Sequence, residues 1–371
     1  MKVVFRVDAS TQMGSGHVMR CLTLANALRE RGGACQFICR EHNGNLIEFV
    51  ETQGHIVHSL RELDKNSERT GNKKGDQELA HSSWLGATQE EDAAECQRIL
   101  KSINPHWLIV DHYALDATWQ KLLRPYYNKL MVIDDLADRH HLCDILLDQT
   151  YGREVSDYTG LVPEKCELLC GAQYALLRSE FTEWRNFSLA RRKAKAGTIK
   201  NILINLGGVD NDNITSKILL NIADSDLPAD TEFTVVMGAT APHIEAVIAQ
   251  AHKMPWQTEV KVGVNNMAEL MANSDLAIGA AGATSWERCC LGLPTIMIVI
   301  AENQRKIANE LEYAGAAVAV DKNRIEHTSI LVEKSLKPKQ VIQLSFQAKS
   351  ICDGSGTSRV IKQLFGKKYA Y

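Results

Sequence analysis

The chain repeats one local pattern in both of its halves: an apolar strand, a glycine-rich loop and then a helix. Val3–Val7 is a short strand, and Gly14 and Gly16 follow it before a helical spacing begins. Residues 274–280 form a second apolar run, which leads into Gly282 and another helical segment. Strands that alternate with helices form parallel sheets. The sequence therefore predicts an α/β fold of two doubly wound, Rossmann-like domains that face each other across a cleft.

Breaks in this pattern predict the domain boundaries. Residues 188–198 are basic and carry no apolar period, so we expect a linker there. This places an N-terminal domain at 1–187, a C-terminal domain at 199–345 and a helical tail at 346–371. Residues 61–78 are polar and charged with two glycines, which predicts a mobile surface insertion.

Charge and composition restrict the partners and the compartment. The 371 residues include 42 Lys and Arg against 45 Asp and Glu, a net charge of −3. This balance argues against nucleic acid or an anionic membrane as a partner. The ten cysteines contain no C-x-x-C pair, and the chain opens with a strand rather than a signal peptide. We expect a cytoplasmic enzyme, and the sequence leaves its oligomeric state open.

The loop at Gly282 is predicted to bind phosphate. Small residues there let the backbone approach a ligand closely, and a helix N-terminus presents free N–H groups to an anion. Thr284 or Ser285 is placed to cap this helix. Glu287 in its first turn can accept hydrogen bonds from a ribose diol, which together with the phosphate site indicates a nucleoside diphosphate. An ordinary capped helix remains the alternative.

His17 is the candidate catalytic residue. It lies where the first strand's loop meets the following helix, at the sheet edge where open parallel sheets bind ligands. A helix N-terminus disfavours the protonated imidazole, so His17 is suited to act as a base. A hydrogen-bonded loop histidine is the alternative. Met19 stands where a dinucleotide fingerprint needs its third glycine, which argues against NAD.

Three later strands deliver polar residues to the same edge. They end at Asp111-His112-Tyr113, at Asp134-Asp135 and at Asp148-Gln149. The adjacent carboxylates of Asp134 and Asp135 are compatible with Mg²⁺, although such pairs more often cap loops. His140-His141 lacks a third ligand for zinc. No metal or cofactor is therefore predicted.

Several motifs together resemble the UDP-sugar hydrolases of pseudaminic acid biosynthesis, which have the GT-B glycosyltransferase architecture. The stretches that carry the resemblance are residues 13–20, 110–113, 133–139, 146–149, 174–178, 206–208, 285–292 and 301–304. The polar segment 61–78 departs from the family pattern as an insertion and removes no motif. The resemblance extends nearly from end to end.

The resemblance implies hydrolysis of UDP-2,4-diacetamido-2,4,6-trideoxy-β-L-altropyranose at its anomeric carbon. Water, activated by His17, would displace UDP with inversion, without a metal, and release a precursor of the nonulosonate used on flagellin and other surface glycans. The N-terminal domain would hold the sugar and the base, and the C-terminal domain would bind UDP. The candidate substrate-binding residues are Gly14, Gly16, Arg20, Asp111, His112, Tyr113, Asp135, Arg139, Gly207, Gly208, Asn266, Met267, Gly282, Ala283, Thr284, Ser285, Glu287, Asn303 and Gln304.

Two other functions are compatible with the same fold. In a UDP-sugar-dependent glycosyltransferase, an acceptor hydroxyl would replace water. In a non-catalytic UDP-sugar-binding protein, no base would be needed at the position of His17. The glycosyltransferase and the hydrolase would both bind a UDP-sugar, and they would differ only in whether an acceptor hydroxyl or water attacks it.

Overall fold

The computed structural model describes residues 1–61, 79–327 and 337–366. The chain forms two compact units. The first contains Met1–Leu176 together with the described residues from Thr357 onward, and the second contains Leu177–Gly356. The predicted insertion at 61–78 lies outside the described residues, apart from Arg61.

Seven parallel strands form the sheet of the first unit, within the described ranges, in the order β3-β2-β1-β4-β5-β6-β7. The strands are β1 (Lys2–Val7), β2 (Ala34–Arg40), β3 (Ile56–Leu60), β4 (Trp107–Asp111), β5 (Lys129–Ile133), β6 (Ile145–Asp148) and β7 (Glu167–Cys170). The helices before the division are α1 (Gly16–Arg29), α2 (Ile47–Thr52), α3 (Gln89–Ile103) and α4 (Ala117–Leu123). The chain order reverses between β1 and β4, which places a topological switch point at the ends of these two strands.

The central strand β1 is buried on both faces. Phe5 packs in one apolar core with Leu24 of α1, while Val4 packs in a second core with Leu100 of α3. Arg6 interrupts this apolar run, and its guanidinium is buried. It pairs with Asp8 and with Asp92, each at 2.6 Å. Paired in this way, the buried charge is compatible with the core.

Six parallel strands form the sheet of the second unit, again counting the described residues, in the order β10-β9-β8-β11-β12-β13. The strands are β8 (Asn201–Asn205), β9 (Glu232–Met237), β10 (Gln257–Val262), β11 (Leu276–Ala280), β12 (Thr295–Val299) and β13 (Val318–Asp321). The helices are α5 (Ser179–Lys195), α6 (Ile214–Ile222), α7 (Ile244–Ala251), α8 (Met267–Asn273), α9 (Thr284–Cys290), α10 (Arg305–Tyr313) and α11 (Pro338–Ile351). The predicted class, two parallel-sheet α/β domains, is confirmed.

The basic stretch at 188–198 is not the linker that the sequence predicts. Most of it belongs to α5, which is part of the second unit. Arg192 donates to the carbonyl oxygens of Met271, Ser274 and Leu291 at 2.7–3.0 Å, and Arg191 pairs with Asp275 at 2.6 Å. The arginines fix the helix through polar contacts, so it needs no apolar period. The division between the units moves to Leu176 and Leu177.

The predicted helical tail at 346–371 is also divided differently. Helix α11 stays in the second unit, and the chain then returns to the first unit in α12 (Gly356–Phe365). Val360, Ile361 and Leu364 of α12 are buried in the core that contains β1. The Leu364 carbonyl accepts a hydrogen bond from the Trp107 indole at 3.0 Å. No helix in the described part of the chain is long and apolar enough to cross a membrane.

Candidate functional site

His17 lies at the switch point of the first sheet. Strands β1 and β4 are neighbours, and Val7 at the end of β1 is in register with Asp111 at the end of β4. The loop after β1 carries the chain into α1, so that His17 occupies the first turn of this helix beside Asp111. The His17 Nδ1 atom is 2.6 Å from the Asp111 Oδ1 atom. The side chain of Asp111 is buried, whereas His17 keeps about 11% of its side-chain surface exposed.

Asp111 determines which nitrogen of the His17 ring carries the proton. Burial opposes its ionisation, but the guanidinium of Arg20 and the hydrogen bond to His17 lower the pKa of Asp111 well below its ordinary value. An ionised carboxylate only accepts hydrogen bonds, so we assign the ring proton of neutral His17 to Nδ1. The lone pair is then on Nε2, the atom that faces away from the carboxylate. This arrangement fits a general base.

Arg20 is turned inward and binds carboxylates, which differs from the predicted contact with substrate. Its Nε and Nη2 atoms donate to the two oxygens of Asp111 at 2.6 and 2.7 Å. Its Nη1 atom donates to Asp135 at 2.6 Å. His17 and Arg20 lie three residues apart on α1 and therefore face the same strand end. Arg20 holds the carboxylate that in turn orients His17.

Tyr113 and Asp135 complete this group. The Tyr113 hydroxyl donates to the same Asp135 oxygen at 2.7 Å, and its ring meets the His17 ring edge-on with centroids 4.6 Å apart. The guanidinium of Arg139 lies over the Tyr113 ring at 5.7 Å. Arg139 is itself buried and pairs with Asp134 and Asp138. The structure thus brings five of the predicted residues together around His17, namely Arg20, Asp111, Tyr113, Asp135 and Arg139.

His112 has a supporting position rather than the predicted direct contact with substrate. It is buried, its Nδ1 atom accepts a hydrogen bond from the Ala114 amide at 3.1 Å, and its Nε2 atom is 3.2 Å from Asp8. Burial lowers the pKa of His112, so the ring is neutral with its proton on Nε2. Both nitrogens therefore face protein groups.

The adjacent carboxylates of Asp134 and Asp135 face cations and a hydroxyl. Asp134 accepts from the Ala137 amide and the Tyr158 hydroxyl, and lies 2.9 Å from Arg139. Burial opposes ionisation of Asp134, but Arg139 lowers its pKa to about 2. Among the residues that the structure describes, no group of three or more His, Cys, Asp or Glu side chains is arranged to hold a metal ion.

In the second unit, three neighbouring strands deliver the predicted loops to one edge. Strands β8, β11 and β12 are adjacent, and they end at Gly207-Gly208, at the Gly282 loop and at the turn that contains Asn303 and Gln304. The Gln304 side-chain oxygen accepts from the Ile300 amide at 3.2 Å. Its Nε2 atom lies 3.9 Å from where a Cβ on Gly282 would be. The Gly282 and Gln304 loops therefore meet.

The helix after Gly282 begins without the predicted side-chain cap. Thr284 is the first residue of α9, and Ala283 occupies the cap position with no side-chain hydrogen bond. The hydroxyls of Thr284 and Ser285 instead lie 3.3 and 3.2 Å from the guanidinium of Arg288. Ser285 is buried, so its side chain supports the loop from inside. A ligand at this loop would reach its backbone, Ala283 and Thr284.

Arg288 is a residue that sequence reasoning did not single out. It is almost fully buried and also donates to the Ala280 carbonyl at 2.6 Å. The guanidinium occupies the space that a side chain at Gly279 would fill. Burial lowers the pKa of Arg288 to about 10, so it stays charged at neutral pH. Arg288 thus places a positive charge directly beneath the predicted phosphate loop.

Glu287 lies in the first turn of α9, where the sequence predicts it. Burial raises the pKa of its carboxyl to about 7, although Arg178 and Arg288 oppose this effect. Asn266 and Met267 are at the start of α8, after β10, and β9 separates β10 from β8. The structure therefore does not bring these two residues to the same strand ends as Gly207 and Gly282.

Two aromatic residues beside His17 were also missed. Trp84 stacks on Tyr113 with centroids 5.8 Å apart, and His81 lies 4.4 Å from Trp84 and 5.4 Å from Tyr113. Both side chains are half-buried. Sequence patterns give little indication of them, because Trp84 belongs to a short 3-10 turn, Ser82–Leu85, and His81 directly precedes it; a segment this short has no apolar period. Their position in the sequence, directly after the polar segment 61–78, is the feature that could have indicated them.

Comparisons with known proteins identify relatives of this chain. The chain is 29% identical over 321 residues to the UDP-2,4-diacetamido-2,4,6-trideoxy-β-L-altropyranose hydrolase of Campylobacter jejuni, covering 86% of this chain and 98% of that protein. The predicted resemblance is confirmed. The chain is also 28% identical over 310 residues to an uncharacterized protein of Methanocaldococcus jannaschii, covering 82% of this chain but only 57% of that relative's length.

The C-terminal part of the chain and the fold are also similar to other known proteins. Residues 206–364 match the family model of the glycosyltransferase family 28 C-terminal domain. The crystal structure of Acinetobacter baumannii MurG superposes with a TM-score of 0.69 at 14% identity, covering 98% of this chain and 99% of that chain. This similarity establishes the GT-B fold class that the sequence predicts.

Proposed function

We propose that the protein processes a UDP-sugar and that it hydrolyses UDP-2,4-diacetamido-2,4,6-trideoxy-β-L-altropyranose. The observation that carries the proposal is the pair of His17 and Asp111, 2.6 Å apart at the switch point of the first sheet. The resemblance to a hydrolase of this UDP-sugar supports the choice of substrate. Synthesis of pseudaminic acid in the cytoplasm, for flagellin and other surface glycans, is part of the same proposal.

In the proposed reaction, a water oxygen attacks the anomeric carbon while the bond from that carbon to the phosphate oxygen of UDP breaks. The His17 Nε2 atom accepts the proton of the water, and UDP leaves with the bonding electrons. Asp111 stabilises the imidazolium that forms, because the ionised carboxylate lies 2.6 Å from Nδ1. One displacement inverts the anomeric centre.

UDP is assigned to the loops of the second unit. The charge that develops on the leaving phosphate would be met by the backbone around Gly282 and by the buried guanidinium of Arg288 below it. Glu287 would accept hydrogen bonds from the ribose diol. Asp134 and Asp135 already face Arg139 and Arg20, so the proposal routes no step through a metal.

Transfer of the sugar to an acceptor hydroxyl is the second candidate function. The match of residues 206–364 to a glycosyltransferase domain favours it. In both reactions His17 would deprotonate the attacking oxygen, and the two differ only in what carries that oxygen.

Incubation of the purified protein with the UDP-sugar in plain buffer tests the proposal. Stoichiometric release of UDP and of the free diacetamido sugar, followed by ¹H and ³¹P NMR, is the expected result. UDP-N-acetylglucosamine serves as a comparison substrate. An intact UDP-sugar that is consumed only after an acceptor is added would overturn hydrolysis in favour of transfer. A protein that binds the UDP-sugar without converting it under either condition would exclude both.

A further inference from the structure

An aromatic surface adjoins the proposed base. Tyr113 contacts the His17 ring, Trp84 lies nearly parallel to Tyr113 at an interplanar angle of 28°, and His81 lies against both rings. Tyr113 is buried, whereas Trp84 and His81 keep part of their surface exposed. The hydroxyl of Tyr113 is held by Asp135, so the stack is attached at its base to the same network that orients His17.

We propose that Trp84 and His81 form a platform that recognises the apolar groups of the sugar, its deoxy carbon and its N-acetyl methyls, beside the reacting carbon. This inference rests on the proposed function and assigns two residues to sugar selection that neither motif nor resemblance provides. It predicts a preference for 6-deoxy, N-acetylated sugars over sugars that carry hydroxyl groups at these positions.

The platform is held in place by the core. Leu85, the residue after Trp84, is buried in the core that also contains Leu100. The turn then ends at Gly86 with a left-handed φ of 69°. A side chain at Gly86 would collide with His42, 2.9 Å from its Cβ position. Because the chain is anchored directly after Trp84, Trp84 can bind a ligand without a large loss of conformational freedom.

The chemistry of the two side chains suits such a sugar. A deoxy sugar with two acetamido groups presents methyl groups and C–H bonds, which lose little by leaving water for an aromatic face. Each acetamido group also carries one N–H donor and one carbonyl acceptor. Burial lowers the pKa of His81, with Arg139 and His17 nearby and Asp138 opposing them. The neutral ring therefore offers one donor and one acceptor at neutral pH.

The test compares Trp84→Ala, Trp84→Phe and His81→Phe with the parent protein. Trp184→Ala is the matched control, because Trp184 is a half-buried tryptophan of the second unit that packs edge-on against Phe187. Initial rates are measured with the 6-deoxy diacetamido UDP-sugar and with UDP-N-acetylglucosamine. UDP affinity is measured by calorimetry, and folding is checked by circular dichroism and thermal melting.

Trp84→Ala is expected to lower kcat/KM for the deoxy diacetamido substrate by about 3- to 10-fold, the usual worth of an aromatic contact. Its affinity for UDP should be unchanged, and Trp84→Phe should recover most of the loss. His81→Phe keeps an aromatic ring but cannot form the hydrogen bonds of the imidazole. The ratio of kcat/KM for the deoxy diacetamido substrate to kcat/KM for UDP-N-acetylglucosamine should therefore be smaller than in the parent. The control should behave as the parent does.

Failure of the platform and failure of the proposed function give different results. A folded Trp84→Ala protein with the parental kcat/KM and sugar preference would overturn the platform and leave the hydrolase intact. If the parent hydrolyses neither substrate, the platform is tested by equilibrium binding of the free diacetamido sugar. The platform is supported if the parent binds the free sugar and Trp84→Ala binds it more weakly. It is overturned if both proteins bind the sugar equally well or if neither binds it.

Discussion

Arg20 binds both carboxylate oxygens of Asp111, with Nε–Oδ2 and Nη2–Oδ1 distances of 2.6 and 2.7 Å. Such a two-point contact fixes the plane of the carboxylate as well as its position. Since Asp111 Oδ1 is also the atom that meets His17, the guanidinium determines the direction of the imidazole. Arg20 is therefore a positioning residue in the proposed mechanism.

Replacement of Arg20 should affect folding and catalysis together. Arg20→Met leaves the buried Asp111 without its main cation, which costs on the order of 3–5 kcal/mol for a broken buried ion pair. Arg20→Lys keeps the charge but cannot bind both oxygens. We expect Arg20→Lys to fold with a lower melting temperature and a lower kcat, while its affinity for UDP is retained. Arg29→Lys, an exposed position on the same helix, is the control, and equal kcat in the two variants would contradict the positioning role.

Replacement of His17 should separate chemistry from binding. A general base contributes about 10²–10⁴-fold to turnover, so His17→Asn should lower kcat by that order. UDP is assigned to the second unit, and its affinity should therefore stay within about twofold of the parent. Single-turnover kinetics and calorimetry measure the two effects. A folded His17→Asn protein that turns over at the parental rate would exclude His17 as the base.

Replacement of Glu287 should weaken nucleotide binding. If its carboxylate accepts hydrogen bonds from the ribose diol, Glu287→Ala loses about 1.5–3 kcal/mol, or roughly one to two decades in Kd for UDP. 2′,3′-Dideoxy-UDP lacks the diol and provides the chemical control. It should bind the parent and the variant equally well. Unaltered UDP affinity in the folded variant would show that the diol lies elsewhere.

Glu287 should also make stability depend on pH. Its pKa is raised from an ordinary value of 4.5 to about 7 in the folded protein, mainly by burial. The folded state therefore holds the proton more tightly than the unfolded state, and the free energy of unfolding falls as pH rises from about 4.5 through 7. Glu287→Gln removes this loss. The free energy of unfolding of the variant minus that of the parent, measured by urea titration, should increase by roughly 2–3 kcal/mol between pH 4 and pH 8. A difference that does not change with pH would contradict the burial of the carboxyl.

Chelation of metal ions should leave activity unchanged. The carboxylates of Asp134 and Asp135 face Arg139 and Arg20 at 2.9 and 2.6 Å, and the proposed mechanism meets phosphate charge with N–H groups and a guanidinium. We expect the same initial rate after dialysis against EDTA and after addition of Mg²⁺. A rate that falls with EDTA and returns with Mg²⁺ would move the two aspartates into the mechanism.

The sequence predicts most of what depends on strand order, and less of what depends on contacts between elements. His17 and Asp111 could both be placed at one edge because each follows an apolar strand. The direction of Arg20 could not, since its position on a helix face does not reveal that two carboxylates lie opposite. The position of Arg192 in a packed helix could not be predicted either. In the sequence, a helix that is held by hydrogen bonds to carbonyl oxygens has the same basic pattern as a solvated linker. Trp84 belongs to a short turn, where periodicity carries no information.

Helix α12 has a consequence for the order in which the protein assembles. The core around β1 includes Val360, Ile361 and Leu364, although every strand of that sheet precedes Leu176. On the ribosome, the first unit to be translated therefore cannot close its core until after the second unit has emerged. All residues of the second unit are translated before α12 is complete, so this unit can fold while the core of the first unit is still incomplete. The apolar surface that α12 covers therefore stays exposed until Leu364 has been translated.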